Sequence, residues 1–175
     1  TVYQGDWNPI VEIKSVTGFT FIKGINPTVI STLTQPLNDG TDFVHLRYAD
    51  VLLMYAEAKI EAGDIDQSVL DAINMVRARA YQVDYTDVAN YPSVTSMDQT
   101  TLRNKVRNER RVEFVLENSR YFDLKRWGLA EQILNGFDGD PVSERVFLPK
   151  HYKWPLPQDA LNKNPELEQN PDYIN

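Results

Sequence analysis

Glu109 and Glu113 stand four residues apart in Glu109-Arg110-Arg111-Val112-Glu113, a spacing that puts both carboxylates on one face of a helix. Such a pair could serve as general acid and base, or supply half of a carboxylate-bridged metal centre. A di-iron bundle needs Glu-x-x-His on partner helices, and His45 and His151, the only histidines, fall in loop sequence. A glycosidase needs its two carboxylates across an open cleft. At about 100° per residue, however, Glu109 and Glu113 point the same way as Leu102, Val106 and Leu116. Asp123 and Arg126 share an arc with Phe122, Ala130 and Ile133, and Glu57 points between Leu46 and Met54 on a strongly apolar stretch. A buried charge without a partner costs several kcal/mol. The sequence therefore predicts an internal ion-pair network of Glu57, Arg77, Glu109, Glu113, Arg120, Asp123 and Arg126, for which the two-pronged guanidinium is well suited. Removing Arg77 or Arg126 would then strand a buried charge, at about 3–5 kcal/mol.

Other reactive arrangements are missing from the sequence. There is no Gly-x-Ser-x-Gly elbow, no glycine-rich phosphate loop and no histidine cluster. With no cysteine there is no disulfide, thiol nucleophile or thiolate metal site. No catalytic residue, metal or cofactor is expected. Aromatic residues are the surplus, with nine Tyr and three Trp. Trp7, Tyr85 and Tyr91 fall in loops, where flat rings with a polar handle can stack on the apolar faces of sugars. Trp127 reads as core. Trp154, between Lys153 and Pro155, reads as an anchor for the end of the chain.

The 175 residues suit about one domain with a real core. A net charge of −7 disfavours nucleic acid and anionic membrane surfaces as partners. No apolar run approaches the roughly 20 residues of a membrane span. The opening Thr1-Val2-Tyr3-Gln4-Gly5-Asp6 lacks a basic start, an apolar stretch and an initiator Met, so the chain reads as a processed or trimmed piece.

The elements that must position these residues are mostly helical. Residues 1–45 read as irregular coil with one or two short strands within 10–21. A first helix is predicted over 46–62, apolar around most of its circumference and hence central, and stopped by Gly63. Asp64 to Gln67 and Ser96 to Gln99 read as capping boxes for helices over about 65–80 and 97–117. Asn118, which tolerates the left-handed conformation, is expected to stop the third helix, and a fourth is expected over about 120–134, ending before Gly136. Residues 136–175 read as an extended wrapping tail, with a short strand at 145–149 and prolines that forbid long helix. The 46–135 region thus forms helical hairpins of tetratricopeptide-like spacing.

Arg47-Tyr48-Ala49-Asp50-Val51-Leu52-Leu53-Met54-Tyr55-Ala56-Glu57-Ala58 resembles the first signature of the SusD/RagB outer-membrane glycan-binding lipoproteins. Ile73 to Ala80 is similar to the second, and Glu109 to Gly128 to the third and most specific. Trp154-Pro155-Leu156-Pro157, Asn164-Pro165-Glu166-Leu167 and Gln169-Asn170-Pro171-Asp172-Tyr173 follow the family's C-terminus in order. Asn118 stands where the family usually has Gly. The resemblance implies that the chain is the C-terminal part of a SusD-like domain. It also implies a non-enzymatic surface protein that captures an oligosaccharide or polysaccharide and pairs with a SusC-like TonB-dependent transporter. It would be lipid-anchored in the outer membrane through a segment upstream, and completed by its own N-terminal half. A tetratricopeptide-type adaptor for a protein partner is the alternative; a helical-barrel glycosidase would require cleft-exposed carboxylates.

Overall fold

The computed structural model describes residues 23, 44–135 and 146–174. The chain divides into two compact units, Thr1–Tyr48 and Ala49–Asn175, and the helical body belongs to the second. The strands expected within 1–45, and Trp7, lie outside the described residues. Five helices occupy the middle of the chain: α1 (Tyr48–Ala62), α2 (Gln67–Ala80), α3 (Gln99–Glu113), α4 (Ser119–Arg126) and α5 (Ala130–Asn135). A 3-10 turn at Pro149–Tyr152, a short α6 (Gln158–Lys163) and a second 3-10 turn at Pro171–Tyr173 punctuate the tail. Among the described residues there is no strand; residues 146–148, expected to lie in one, are irregular.

The main core joins Leu53, Ala56 and Ile60 of α1, Val69, Leu70, Ile73 and Val76 of α2, and Leu102 and Val106 of α3. These recur at i, i+3, i+4 and i+7, as one buried stripe per helix requires. Leu53, Ile60, Val69, Ile73, Leu102 and Val106 are sealed from solvent. Helix α1 is less enclosed than its sequence suggested. Leu46 precedes it and is exposed, and Val51, Met54 and Tyr55 are exposed on the helix itself. Two partner helices cover one side of α1 only, so its second apolar face stays bare among the described residues.

Gly63 stops α1 as expected, at φ +74°. Its N–H donates to the Ile60 carbonyl and that of Asp64 to Lys59, which closes the last turn over a left-handed residue. The caps differ from expectation. Asp66, not Asp64, opens α2: its carboxylate accepts from the Ser68 N–H at 3.0 Å, from the Ser68 hydroxyl, and from Lys59 Nζ at 2.5 Å. Asp98 opens α3 by accepting from the Thr101 N–H at 2.7 Å. Gln99 reaches the Ile60 carbonyl at 2.6 Å instead of closing a box, which ties the start of α3 to the end of α1.

Asp66 provides a pH test. The Lys59 ammonium, then the Ser68 hydroxyl, hold its carboxyl down to about 2. A lowered folded pKa gives stability that is present above the ordinary carboxylate range and lost as pH falls through the folded value. The stability difference between wild type and Asp66→Asn should therefore be full at neutral pH and shrink from about pH 4 towards pH 2. Unfolding curves across that range check it, and a constant difference would contradict it.

Two further boundaries depart from the sequence. Helix α3 ends at Glu113, four residues early, because Leu116 (φ 66°) and Asn118 (φ 58°) are both left-handed. Leu116 therefore leaves the Glu109 face and is exposed. The single helix expected over 120–134 is two, broken at Gly128 (φ +69°). The common arc does not form: Phe122, next to the buried Asp123 in α4, is exposed, and Ile133, beyond the break, is exposed as well. Around it a second core forms from Leu124, Ala130 and Phe147, with Trp127, Leu129, Leu134 and Tyr152 against them.

Side-chain amides do the work of missing strands. Asn74 Nδ2 donates to the Val94 carbonyl at 3.0 Å while Asn74 Oδ1 accepts from the Val94 N–H at 2.7 Å. Asn135 grips Phe147 in the same two-sided way, at 2.8 and 2.6 Å, and Gln169 grips Leu156 at 3.0 and 2.7 Å. Each amide offers a donor and an acceptor side by side, as a neighbouring strand would. Three irregular segments are thereby fixed without a sheet.

Candidate functional site

The acidic and basic residues singled out by spacing do converge, around a hub that spacing did not single out. Arg110, 5% exposed, sends Nε to Asp123 at 2.9 Å and Nη1 to Asp50 at 2.9 Å. Its Nε also lies 3.9 Å from Glu57. Glu57 accepts from Arg126 through both oxygens, at 2.5 and 2.6 Å, and from Trp127 Nε1 at 2.5 Å. Arg126 Nε then returns to Asp123 at 2.9 Å. Helices α1, α3 and α4 are thus joined through one charged knot. Two outlying pairs link α2 to α3: Arg77 with Glu109 and Arg79 with Glu113, each at 2.5 Å.

Glu57, Asp123, Arg126, Arg77 and Glu109 each stand in an ion pair. Glu113 pairs with Arg79, a residue not anticipated. Arg120 makes no ion pair among the described residues; its guanidinium lies 5.8 Å from the Trp127 ring, and burial lowers its pKa. Arg107 and Arg126 flank the same ring, at 5.0 and 4.9 Å. Spacing could have found Arg110, which follows Leu102 and Val106 by eight and four residues and so falls on their face. Asp50, in the first turn of α1, carried no such signal.

The knot is not sealed. Glu57, Arg110 and Arg126 line a cavity of about 410 Å3 with Met54, Ala58 and Glu61, and the Arg126 side chain is 45% exposed. Glu57, Glu109, Arg110 and Asp123 are themselves buried; it is the Arg126 side chain that stands at the rim of the cavity. Little chemistry is available there. The Glu57 oxygens are occupied by a guanidinium and an indole N–H, and Glu61 is held in a two-pronged grip by Arg103 at 2.7 Å, which lowers its pKa. Glu61, so held, is a weak base. Glu109 runs the other way: its desolvation outweighs the Arg77 partner and raises its pKa. Among the described residues no group of three or more His, Asp or Glu is arranged to hold a metal ion.

The loop between α2 and α3 is tied down by hydrogen bonds. Beyond the Asn74 grip on Val94, Arg77 Nε donates to the Pro92 carbonyl at 2.8 Å and the Tyr91 hydroxyl donates to the Tyr85 carbonyl at 2.6 Å. Tyr91 is buried, and its ring supports the loop from inside. Tyr85 is exposed, as are Tyr81 and Val88. Trp127 sits half-buried against the second core. Trp154, expected to anchor the tail, is 72% exposed; the anchoring falls to Gln169, Asn170 and Tyr173. The Tyr173 hydroxyl bridges the Lys150 and Lys153 carbonyls at 3.0 and 3.1 Å.

Comparison with known proteins gives a consistent answer. The sequence profile of the SusD family matches residues 4–173. SusD-like protein P38 of Formosa agariphila is 31% identical over 140 residues, covering 79% of this chain and 26% of that protein. SusD-like protein P2 of the same organism is 30% identical, covering 77% and 26%. Among solved structures, a SusD-like carbohydrate binding protein from Bacteroides fragilis superposes with a TM-score of 0.60 at 35% identity, covering 76% of this chain and 31% of that one. A second SusD-like protein from B. fragilis gives 0.60 at 30% identity, covering 73% and 25%. The chain thus spans about a quarter of the length of the curated relatives it matches.

Proposed function

We propose that this chain, which belongs to the SusD family, is the helical C-terminal part of a non-catalytic protein that binds oligosaccharides or polysaccharides at the cell surface. The whole protein would be lipid-anchored in the outer membrane and would deliver its ligand to a SusC-like TonB-dependent transporter without cleaving it. The observation that carries this reading is the likeness, at 35% identity and across 76% of the chain, to a SusD-like carbohydrate binding protein. Two features of the chain support it. The carboxylates that spacing placed together are occupied by guanidiniums that bind α1, α2, α3 and α4 to one another, as cement would. Exposed aromatic rings, Tyr85 and Trp154 among them, stand on backbone held firmly by amide and hydroxyl contacts, and stiff aromatic platforms suit sugar faces.

The test uses the full-length protein against a panel of polysaccharides, with binding and reducing-sugar release measured together. Binding without release is expected. Release that disappears in Glu109→Gln or Glu113→Gln, with the fold intact, would make the protein an enzyme.

A further inference from the structure

Trp154 leaves most of its ring in water, where a side chain of that size gains nothing from burial. Its backbone is nonetheless fixed. Asn170 Nδ2 donates to the Trp154 carbonyl at 2.6 Å, Gln169 grips the nearby Leu156, and Pro155 and Pro157 restrict the chain that follows the ring. The ring is presented, not stored.

Lys125 Nζ lies over one face of it, 5.6 Å from the Trp154 ring centroid and 5.4 Å from that of Tyr121. Lys59, Arg77, Arg79, Arg103, Arg107, Arg110 and Arg126 of the helical body each hold a carboxylate, whereas Arg120, set against the Trp127 ring, makes no ion pair among the described residues. Among the described residues Lys125 holds none, in a chain of net charge −7. Tyr121 and Phe122 meet edge to face at 5.8 Å and are both exposed. The surface therefore combines exposed aromatic rings with an ammonium that lacks a counter-charge among the described residues.

We propose that Tyr121, Lys125 and Trp154 form a subsite for an acidic sugar, a uronate or a sulfated ring. The C–H face of the pyranose lies on an indole, and its carboxylate or sulfate meets the Lys125 ammonium. A neutral sugar would use the ring and leave the cation idle; an anion alone would not need an indole held in place. This inference rests on the glycan-binding reading and narrows it to charged polymers.

The test takes the full-length protein, its Lys125→Gln and Trp154→Ala variants, and matched probes. These are polygalacturonate with its methyl-esterified form, and a sulfated galactan with its desulfated form. Because both side chains face solvent at least in part, thermal unfolding of the variants should match wild type. The subsite predicts that wild type prefers the charged member of a pair. Lys125→Gln should lose about tenfold in affinity for it, the scale of one charge-assisted hydrogen bond, and keep its affinity for the neutral member. Trp154→Ala should weaken both. Wild-type affinity for the charged member should also fall as salt rises, since an exposed cation is screened. Binding of glycan unchanged in both variants, or preference for the neutral members, overturns the subsite and leaves glycan binding standing. Lys125-dependent capture of polyglutamate without any glycan assigns the surface to an acidic peptide instead. Failure to bind any polysaccharide overturns the broader reading, and the subsite with it.

Discussion

Replacing Arg110 with Met should lower the unfolding free energy by about 3–5 kcal/mol, the cost of stranding a buried charge. Among the described residues Arg110 is the one cation that touches three carboxylates, those of Asp50, Glu57 and Asp123. Asp123 is 3% exposed, so water cannot replace the lost donor; only Arg126 Nε and Nη2 remain to it. Met keeps most of the side-chain volume and removes the charge, which separates loss of pairing from loss of packing. Arg126→Ala should cost less, about 1–2 kcal/mol, because that side chain is nearly half exposed and Glu57 keeps the Trp127 N–H. The ranking reverses the sequence reading, which placed Arg126 and not Arg110 in the ion-pair network. Urea unfolding of the two variants checks it; equal losses, or a shift below about 1 kcal/mol for Arg110→Met, would show that the knot is solvated.

Asn74→Ala should cost about 2–3 kcal/mol, since it leaves the Val94 N–H and carbonyl without their partner in a buried place. The consequence reaches past stability. Asn74 and Arg77 are contacts from α2 that hold the 81–94 loop at Val94 and Pro92. Losing the first should raise hydrogen exchange at the Val94 amide and speed proteolysis within the loop, while exchange at Leu53 and Ile73 stays slow. Asn74→Asp is a sharper control: it keeps the acceptor for the Val94 N–H but sets a carboxylate against the Val94 carbonyl, so it should also fail. Uniform loosening of the core would instead mean that Asn74 packs and does not clamp.

These two effects mark where reading the sequence succeeded and where it could not. The helices α1, α2 and α3 were legible because apolar residues recur with the helical period and Gly63 marks a stop. That charges must pair was legible too, since Glu57, Glu109 and Asp123 fall on apolar arcs and a lone buried charge is prohibitively costly. The SusD resemblance rested on ordered motifs that the profile match over 4–173 bears out. What spacing could not supply was the direction of each side chain across a gap between helices. Arg79 and Arg77 both sit near the end of α2, and their division between Glu113 and Glu109 depends on how α2 and α3 are placed.

Chain breaks misled the reading in the same way. Periodicity carried the third helix through Leu116 and joined α4 to α5, because a run of helix formers looks continuous until one residue turns left-handed. Asn118 was legible as a left-handed stop and is one at φ 58°, and Gly128 could have been suspected; Leu116, a strong helix former at φ 66°, could not. The tail is the clearest case. Its prolines ruled out long helix and central strand, yet nothing in Gln169 or Asn135 announces a grip on Leu156 or Phe147.

The sequence by itself determined the composition of the helical faces, the necessity of ion pairing and the family, because each follows from local periodicity, desolvation cost or ordered motifs. Only the tertiary structure decided which arginine is the hub, that the knot opens onto a cavity, that Tyr91 is buried, and that Trp154 is offered to solvent beside Lys125. Those outcomes depend on distances between segments far apart in the chain, and a one-dimensional pattern carries no distance.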